Sequence, residues 1–468
     1  MVRLIAGLVL CLLIVGTAVA AGVEIVVDAG QVVGPVRPLS GVNAGPAFVP
    51  GWPPGRDCIE QYQAMGLTLV RTHDFYGPCD LSTIFPGGWG AGPDDPANYD
   101  FTATDAALDA IEAAGCAIMI RLGESWYTAN PHNAIPSDFM TVARVCERIV
   151  ERYHDRVALW EIWNEPNHRM FWDQQADPDL EQFADMYATI ATRLKTRWPE
   201  LIVGGPGMAG GDNAADLARD FAAQCHQRGA PLDFYSWHSY NRNQEGPLSL
   251  ATTAQQVRQA LEDEGYPDAM NVLGEWNSIN AHVTDAFWRP TLHNADGAAF
   301  SAAALIYLHQ HSDMRYTLRY RGDCHGGDTG YGFVRNDGSL KRPAYAYMAY
   351  AQLFPDGFDQ PMLMLHTSGG DLDGRAVMAT TNEPRSIIGI LVAQFQCGGE
   401  PMRVIVRGLP GEWSRPMVEH VVISAGPPFA RVARRPLASL GNGAWRYDWA
   451  GAPQPGSDVH VLRVFDRP

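Results

Sequence analysis

The stretch Leu159-Trp160-Glu161-Ile162-Trp163-Asn164-Glu165-Pro166-Asn167 carries most of what is needed to place this chain. Its apolar start predicts a short buried strand. Successive side chains of a strand alternate, so residues 159, 161, 163 and 165 are expected on one face. Pro166 cannot donate to a ladder and ends the strand. If that face lines a closed barrel, Glu161 lies deep and Glu165 lies at the C-terminal mouth, where barrels place their reactive groups. Trp160 and Trp163 are expected as apolar walls that push a neighbouring carboxyl upward by desolvation. Glu161 reads as a structural charge paired with Arg71 or Arg121.

Outward from this stretch, short β-rich runs alternate with longer helical patterns. The strands are expected at 39–43, 67–72, 117–122, 157–163, 201–204, 232–237, 271–274 and 315–318. Helical periodicity covers 104–114, 139–154, 179–198, 214–228, 253–265 and 295–310, with apolar residues at three- and four-residue steps. Asp105 and Asp179 stand near helix starts, and Gly115, Gly229 and Gly265 near helix ends. Eight strands with intervening helices predict an α/β fold, a (β/α)8 TIM barrel over residues 39–355. The rival is an open doubly wound sheet. Gly41-Val-Asn-Ala-Gly45 lacks the third glycine of a phosphate-binding turn, which leaves a nucleotide site unsupported. From 356 to 468 short alternating strands between Gly- and Pro-rich turns predict a smaller β-sandwich domain. The strand at 23–27, within an N-terminal segment 21–38, is expected to join it.

A second acid ends the seventh barrel strand, in Asn271-Val-Leu-Gly-Glu275-Trp276-Asn277. Strands four and seven face each other across a barrel mouth, so Glu165 and Glu275 can converge. One protonated and one ionised carboxyl are what glycosidic cleavage requires. A gap of about 5 Å gives retention and about 6.5–9.5 Å gives inversion, and the residues alone leave that open. Trp276 reads as a sugar-stacking surface. His238 and Tyr240 share a face at the end of the sixth strand. Arg71 and His73 end the second strand, followed by Asp74, and together with His238 and Tyr240 they are expected to bind the substrate. Glu124, after the third strand, is a rival carboxylate. No HExxH or paired-cysteine spacing suggests a metal, and no Gly-x-Ser-x-Gly elbow suggests a serine hydrolase. The expectation is no cofactor and no metal.

Composition narrows the partners. A net charge of −17 argues against nucleic acid. Residues 1–20 have a basic start, an apolar run of about a dozen residues and a small-residue end. They read as a cleaved signal peptide, too short to span a membrane, and predict a secreted or periplasmic protein. Of the cysteines, Cys58 and Cys79 are a conceivable disulfide.

Taken together, these residues resemble glycoside hydrolase family 39. The resemblance rests on Asn164-Glu165-Pro166, Glu275-Trp276, Asp28-Ala-Gly, Gly34-Pro-Val-Arg-Pro38, Arg71-Thr-His73 and the run from Gly330 to Tyr345. It implies a retaining double displacement with Glu275 as nucleophile and Glu165 as acid/base. It further implies that Asn164 holds the sugar 2-hydroxyl and that Tyr240 hydrogen-bonds Glu275. The implied substrate is an oligo- or polysaccharide, cleaved by a β-xylosidase-like exo-glycosidase. The alternatives are a glycosidase acting on a uronate or exopolysaccharide, and a carbohydrate-binding protein without catalysis. Two departures bear on the sugar. The eighth strand, Met314 to Arg321, has arginines where related enzymes place a Trp, so Arg319 or Arg321 is either a uronate partner or a charge pair with Asp323 or Asp328. The loop from Glu124 to Pro131 also differs from the xylosidase pattern.

Overall fold

The computed structural model describes residues 22–46, 56–73, 77–129, 132–280, 282–357, 360–370, 372, 374–451 and 456–467. The leader, Asp74 and the end of the Glu124 loop lie outside the described residues. Strand β1 spans Val23–Pro35. Eight parallel strands then close a barrel: β2 Gly41–Asn43, β3 Leu69–Arg71, β4 Ala117–Leu122, β5 Leu159–Ile162, β6 Val203–Ala209, β7 Phe234–Ser239, β8 Met270–Trp276 and β9 Tyr316–Arg319. The closed ring excludes the open doubly wound sheet.

The lower barrel is plugged by Leu69, Met119, Leu159, Phe234, Val272 and Leu318, one from each of six strands. The two remaining strands carry glycines beside this plug. A Cβ on Gly204 would lie 2.1 Å from the Phe234 carbonyl oxygen, and one on Gly41 would lie 2.5 Å from that of Thr317. No side chain fits at either position. Outward residues such as Trp160 and Ile162 fill the shell between strands and helices.

Nine further strands follow: β10 Met362–Ser368, β11 Arg375–Asn382, β12 Ile387–Gln394, β13 Met402–Arg407, β14 Pro416–Ile423, β15 Ala430–Pro436, β16 Ala438–Gly441, β17 Ala444–Trp449 and β18 Asp458–Asp466. They join β1 in one ten-stranded sheet of order β15-β14-β18-β12-β11-β10-β1-β13-β17-β16. Strand β1 lies between β10, to which it is antiparallel, and β13, to which it is parallel. The sheet folds over on itself. His420 of β14 and Tyr447 of β17 are 2.9 Å apart across the core, although they sit near opposite ends of the strand order. At about 4.8 Å per strand a flat sheet would hold them roughly 34 Å apart. The sandwich is therefore a single continuous sheet.

Alternation along β11 explains how the two parts adhere. Val377 and Ala379 face the inside of the sandwich, while Ala376 and Met378 face the barrel side. The helix Ala295–His311 lies there, and every residue from Gly297 to His309 is buried. A helix apolar on all sides belongs between two layers. Arg37, in the link from β1 to β2, donates to the carbonyls of Met314 at 2.6 Å and Ser312 at 3.0 Å, just beyond that helix. One helix start differs from expectation. The Glu181–Arg197 helix begins after Leu180, and Asp177 rather than Asp179 accepts the Phe183 amide at 2.9 Å. Among the described residues no helix is long and apolar enough to cross a membrane.

Candidate active site

Above the apolar plug the same strands turn polar. Arg71 is fully buried at the end of β3 and its guanidinium serves four acceptors. Nε donates to Glu161 at 2.6 Å, Nη1 to Asn43 at 2.9 Å and Glu275 at 2.7 Å, and Nη2 to Asn164 at 2.7 Å. Burial works against its charge, but Glu161 and Glu275 outweigh that and raise its pKa. Ser236 of β7 donates to the other Glu161 oxygen at 2.6 Å. Glu161 is thus the expected structural charge, and Arg71 is its partner. Arg121 pairs with Asp80 instead, at 2.5 Å. Arg71 is 0% exposed and positions the site through these four acceptors.

Glu275 leaves β8 at a bulge. Trp237 pairs with Leu273, but His238 pairs with Glu275, so Gly274 is the extra residue. A bulge re-aims the next side chain, and here it turns Glu275 into the mouth. Arg71 donates to its Oε1, and the Tyr240 hydroxyl donates to its Oε2. Burial first, then Glu275, holds the Tyr240 pKa well above its usual value, so the phenol stays a donor. Two donors on one carboxylate favour its ionised form. His73 Nε2 lies 3.4 Å from Glu275 Oε1. Burial and then Arg71 push this imidazole well below its usual pKa and keep it neutral.

Glu165 reaches the mouth by a different route from the expected alternation. Strand β5 ends at Ile162, and Trp163 and Glu165 take positive φ values of 75° and 41°. Trp163 therefore swings into the outer shell, where Nε1 donates to the Phe171 carbonyl at 2.9 Å. Trp160 faces the same outer shell. Neither indole walls Glu165, which corrects the desolvation expectation. Glu165 N instead donates to Gly207 O at 3.0 Å. Gly207 has φ 65°, and a Cβ there would press to 3.0 Å from His238 Nε2, so only glycine suits the position.

The two acids meet around His238. Its Nδ1 is 2.7 Å from Glu165 Oε1 and 3.7 Å from Glu275 Oε2. One atom each from Glu165, His238 and Glu275 lie within 4.8 Å of one another. Among the described residues this is the one cluster of three potential metal ligands. Arg71 already supplies a cation to Glu275 there. The acids differ in access: the Glu165 side chain is 12% exposed and that of Glu275 is 4%.

Residues 55–320 match the family model for glycosyl hydrolases family 39. The chain belongs to that family. A β-xylosidase from Geobacillus stearothermophilus is 35% identical over 182 residues, which is 35% of this chain and 34% of that protein. A β-xylosidase from Caldicellulosiruptor saccharolyticus is 32% identical over 152 residues, 29% of each chain. The alignments thus span about a third of the length of these relatives. A glucosidase structure from Croceicoccus marinus shares the fold, with TM-score 0.79 and 22% identity over 95% of this chain and 99% of that one. So does a family 39 enzyme from Xanthomonas axonopodis pv. citri, with TM-score 0.71 and 18% identity over 96% and 98%.

In this family 39 barrel, several expected contacts change. Trp276 is 0% exposed and packs in the outer shell, so it offers no sugar-stacking surface. Alternation sends it away from the mouth once Glu275 faces inward. Arg321 is fully buried and forks onto Asp323, at 2.8 and 2.6 Å, and Arg319 is fully buried too. Neither is placed to meet a uronate. Tyr320 supplies the aromatic ring at the end of β9 instead, and it packs with Tyr240 and Tyr331 at centroid distances of 5.7 and 5.4 Å. On the Glu165 side, Trp126 is 41% exposed and lies 5.2 Å from His168, whose amide donates to Glu165 O. Sequence reading missed these rings; an aromatic just beyond a barrel strand is the signal that marks them. Glu124 is engaged by the Ser82 amide and hydroxyl, at 2.9 and 2.7 Å. The described cysteines are free thiols, and Cys58 hydrogen-bonds Cys324 rather than Cys79.

Proposed function

We propose that this protein is an exported, retaining O-glycosidase, exo-acting and β-xylosidase-like, working on plant or microbial polysaccharide. The observation that carries it is the spacing of Glu165 and Glu275, whose oxygens lie within 4.8 Å. Retaining enzymes hold their carboxyls about 5–5.5 Å apart, too close for the water that an inverting enzyme places between them. The two β-xylosidase relatives support the sugar, and the apolar leader at residues 1–20 supports export.

The chemistry assigns each neighbour a part. Glu275, ionised beside Arg71 and Tyr240, attacks the anomeric carbon. The bond to the leaving oxygen breaks, and Glu165 gives that oxygen its proton. Glu165 then takes a proton from water, the water oxygen attacks the same carbon, and the ester to Glu275 breaks. His238, between the acids, holds Glu165 in place. Asn164 has its oxygen committed to Arg71, while its buried Nδ2 has no partner among the described residues, which suits it to the sugar 2-hydroxyl. The deciding experiment is trapping with a 2-fluoro xyloside followed by peptide mapping. Label on Glu275 is expected, and label on any other residue rejects the mechanism.

A second reading keeps the mechanism and changes the sugar, because Tyr320 and Tyr331 replace the expected indole. Parallel assays with aryl β-xyloside, β-glucoside and uronide separate the two. Xyloside is expected to be the best substrate. Turnover of none of the three would favour a binding protein.

A further inference from the structure

On the outer face of the eighth barrel strand, at its C-terminal end, lies a group of buried donors that the hydrolytic site does not use. Arg319, the last residue of β9, is fully buried. Its Nη2 donates to Asn277 Oδ1 at 2.9 Å, but among the described residues Nε and Nη1 have no partner and no carboxylate pairs with it. The guanidinium carbon sits 4.7 Å from the centre of the Phe333 ring. Two more buried donors attach to Phe333, one through its ring and one through its backbone. Tyr347 packs against the ring at 4.9 Å, and its buried hydroxyl has no partner among the described residues. Lys341 is fully buried, its amide bonds the Phe333 carbonyl at 2.8 Å, and its ammonium donates only to Gly330 O, at 2.8 Å. Asp323 and Asp328 act on Lys341 electrostatically without pairing directly with it, and Asp323 is already forked by Arg321.

Two buried cations with no direct ion pair to a carboxylate among the described residues form an under-compensated arrangement, since an isolated charge is very costly to remove from water. Desolvation lowers Arg319 to a pKa of about 10 and Lys341 to about 8, so both remain largely charged at neutral pH. All the unused groups are donors, which selects an acceptor of negative charge. The surroundings are Phe333 and the Trp276 ring, 6.0 Å from the guanidinium, which favour a small, singly charged, weakly hydrated ion.

We propose that Arg319, Lys341 and Tyr347 hold a halide ion, chloride in chemical class, behind β9. Its position links it to the hydrolytic site. Asn277, bonded by Arg319, also donates to the Tyr320 carbonyl, and the Tyr320 ring packs on Tyr240, which holds Glu275. The ion therefore supports the end of β9 as a positioning element.

The test uses the full chain freed of halide and titrated with sodium chloride, bromide or methanesulfonate at constant ionic strength. A saturable rise in Tm of about 2 °C or more with chloride and bromide, absent with methanesulfonate, is expected. Arg319→Met should abolish it, and Tyr347→Phe, which removes one hydroxyl and is expected to fold, should shift the midpoint to higher chloride. Anomalous scattering from a bromide-soaked crystal should place the ion beside Arg319. Equal responses to chloride and methanesulfonate, a wild-type midpoint in Tyr347→Phe, or only water at that position would each overturn the proposal. These readouts are independent of whether the enzyme turns over a glycoside.

Discussion

The lower and upper tiers of the barrel interior are built by the same strands on opposite physical terms. Below, six apolar side chains and two flanking glycines fill the space by size alone. Above, Arg71, Glu161, Ser236, Asn43 and Glu275 form a network in which each group satisfies another. A close-packed apolar layer tolerates exchanges of similar volume. A buried charged network does not, because deleting one member strands its partner. Precision at the mouth is thus held by a layer that fails abruptly, standing on a layer that fails gradually.

The comparison breaks most visibly at the nucleophile. Glu275→Gln is expected to lower kcat/KM on an aryl xyloside by about 10⁴-fold or more while the circular dichroism stays native. Retained turnover would remove the upper tier's catalytic role. Next, Arg71→Met should destabilise by about 3–5 kcal/mol in urea unfolding, since it leaves Glu161 and Glu275 without their cation. Adding Glu161→Gln should recover part of that loss; a simple sum of the two effects would mean that they are not coupled. In the lower tier, Leu159→Ala should cost about 2–5 kcal/mol and leave kcat per folded molecule near wild type. Leu159→Met should cost less than about 1.5 kcal/mol.

Stability against pH sharpens the contrast further. His73 is held neutral by burial and Arg71, below its ordinary 6.5, so its contribution is complete above pH 6.5 and drains as pH falls. Burial likewise takes His309 and His420 to about 3. Glu124 runs the other way: burial, then Asp80, raises it to about 8. Its contribution is complete below its ordinary 4.5 and drains as pH rises towards 8. Tm should therefore peak between these limits, and Glu124→Gln should flatten the alkaline side. An unchanged alkaline slope in that variant would separate Glu124 from the effect. The smallest change is expected at the rim, where Trp126→Ala should weaken substrate binding by about 0.5–1.5 kcal/mol, seen as a raised KM with kcat preserved.

Legibility in the sequence followed the same division. Wherever a period of two or 3.6 persisted, the elements were readable: the helix Ala214–Arg228 and the strand Ala117–Leu122 have the expected bounds. The positions of Glu165 and Glu275 at the ends of facing strands were readable too. What escaped were departures from period. Left-handed Trp163 and Glu165, and the bulge at Gly274, change which way a side chain points without changing its residue type. Hence Trp163 and Trp276, whose aromatic character suggested a wall and a stacking surface, turned outward. The buried state of Arg319 and Arg321 was equally hidden, because burial depends on the run from Gly330 to Tyr347 folding over them.

The placement of β1 has a consequence in time. Val27 pairs with Thr367 on one side and Val406 on the other. During synthesis at about 5–20 residues per second, it waits roughly 20–80 s for the second partner. Throughout that interval the barrel is being completed beside a strand with open edges. A chain halted after the barrel would lack both strands that pair with β1, so the sheet forms only once the C-terminal strands are present.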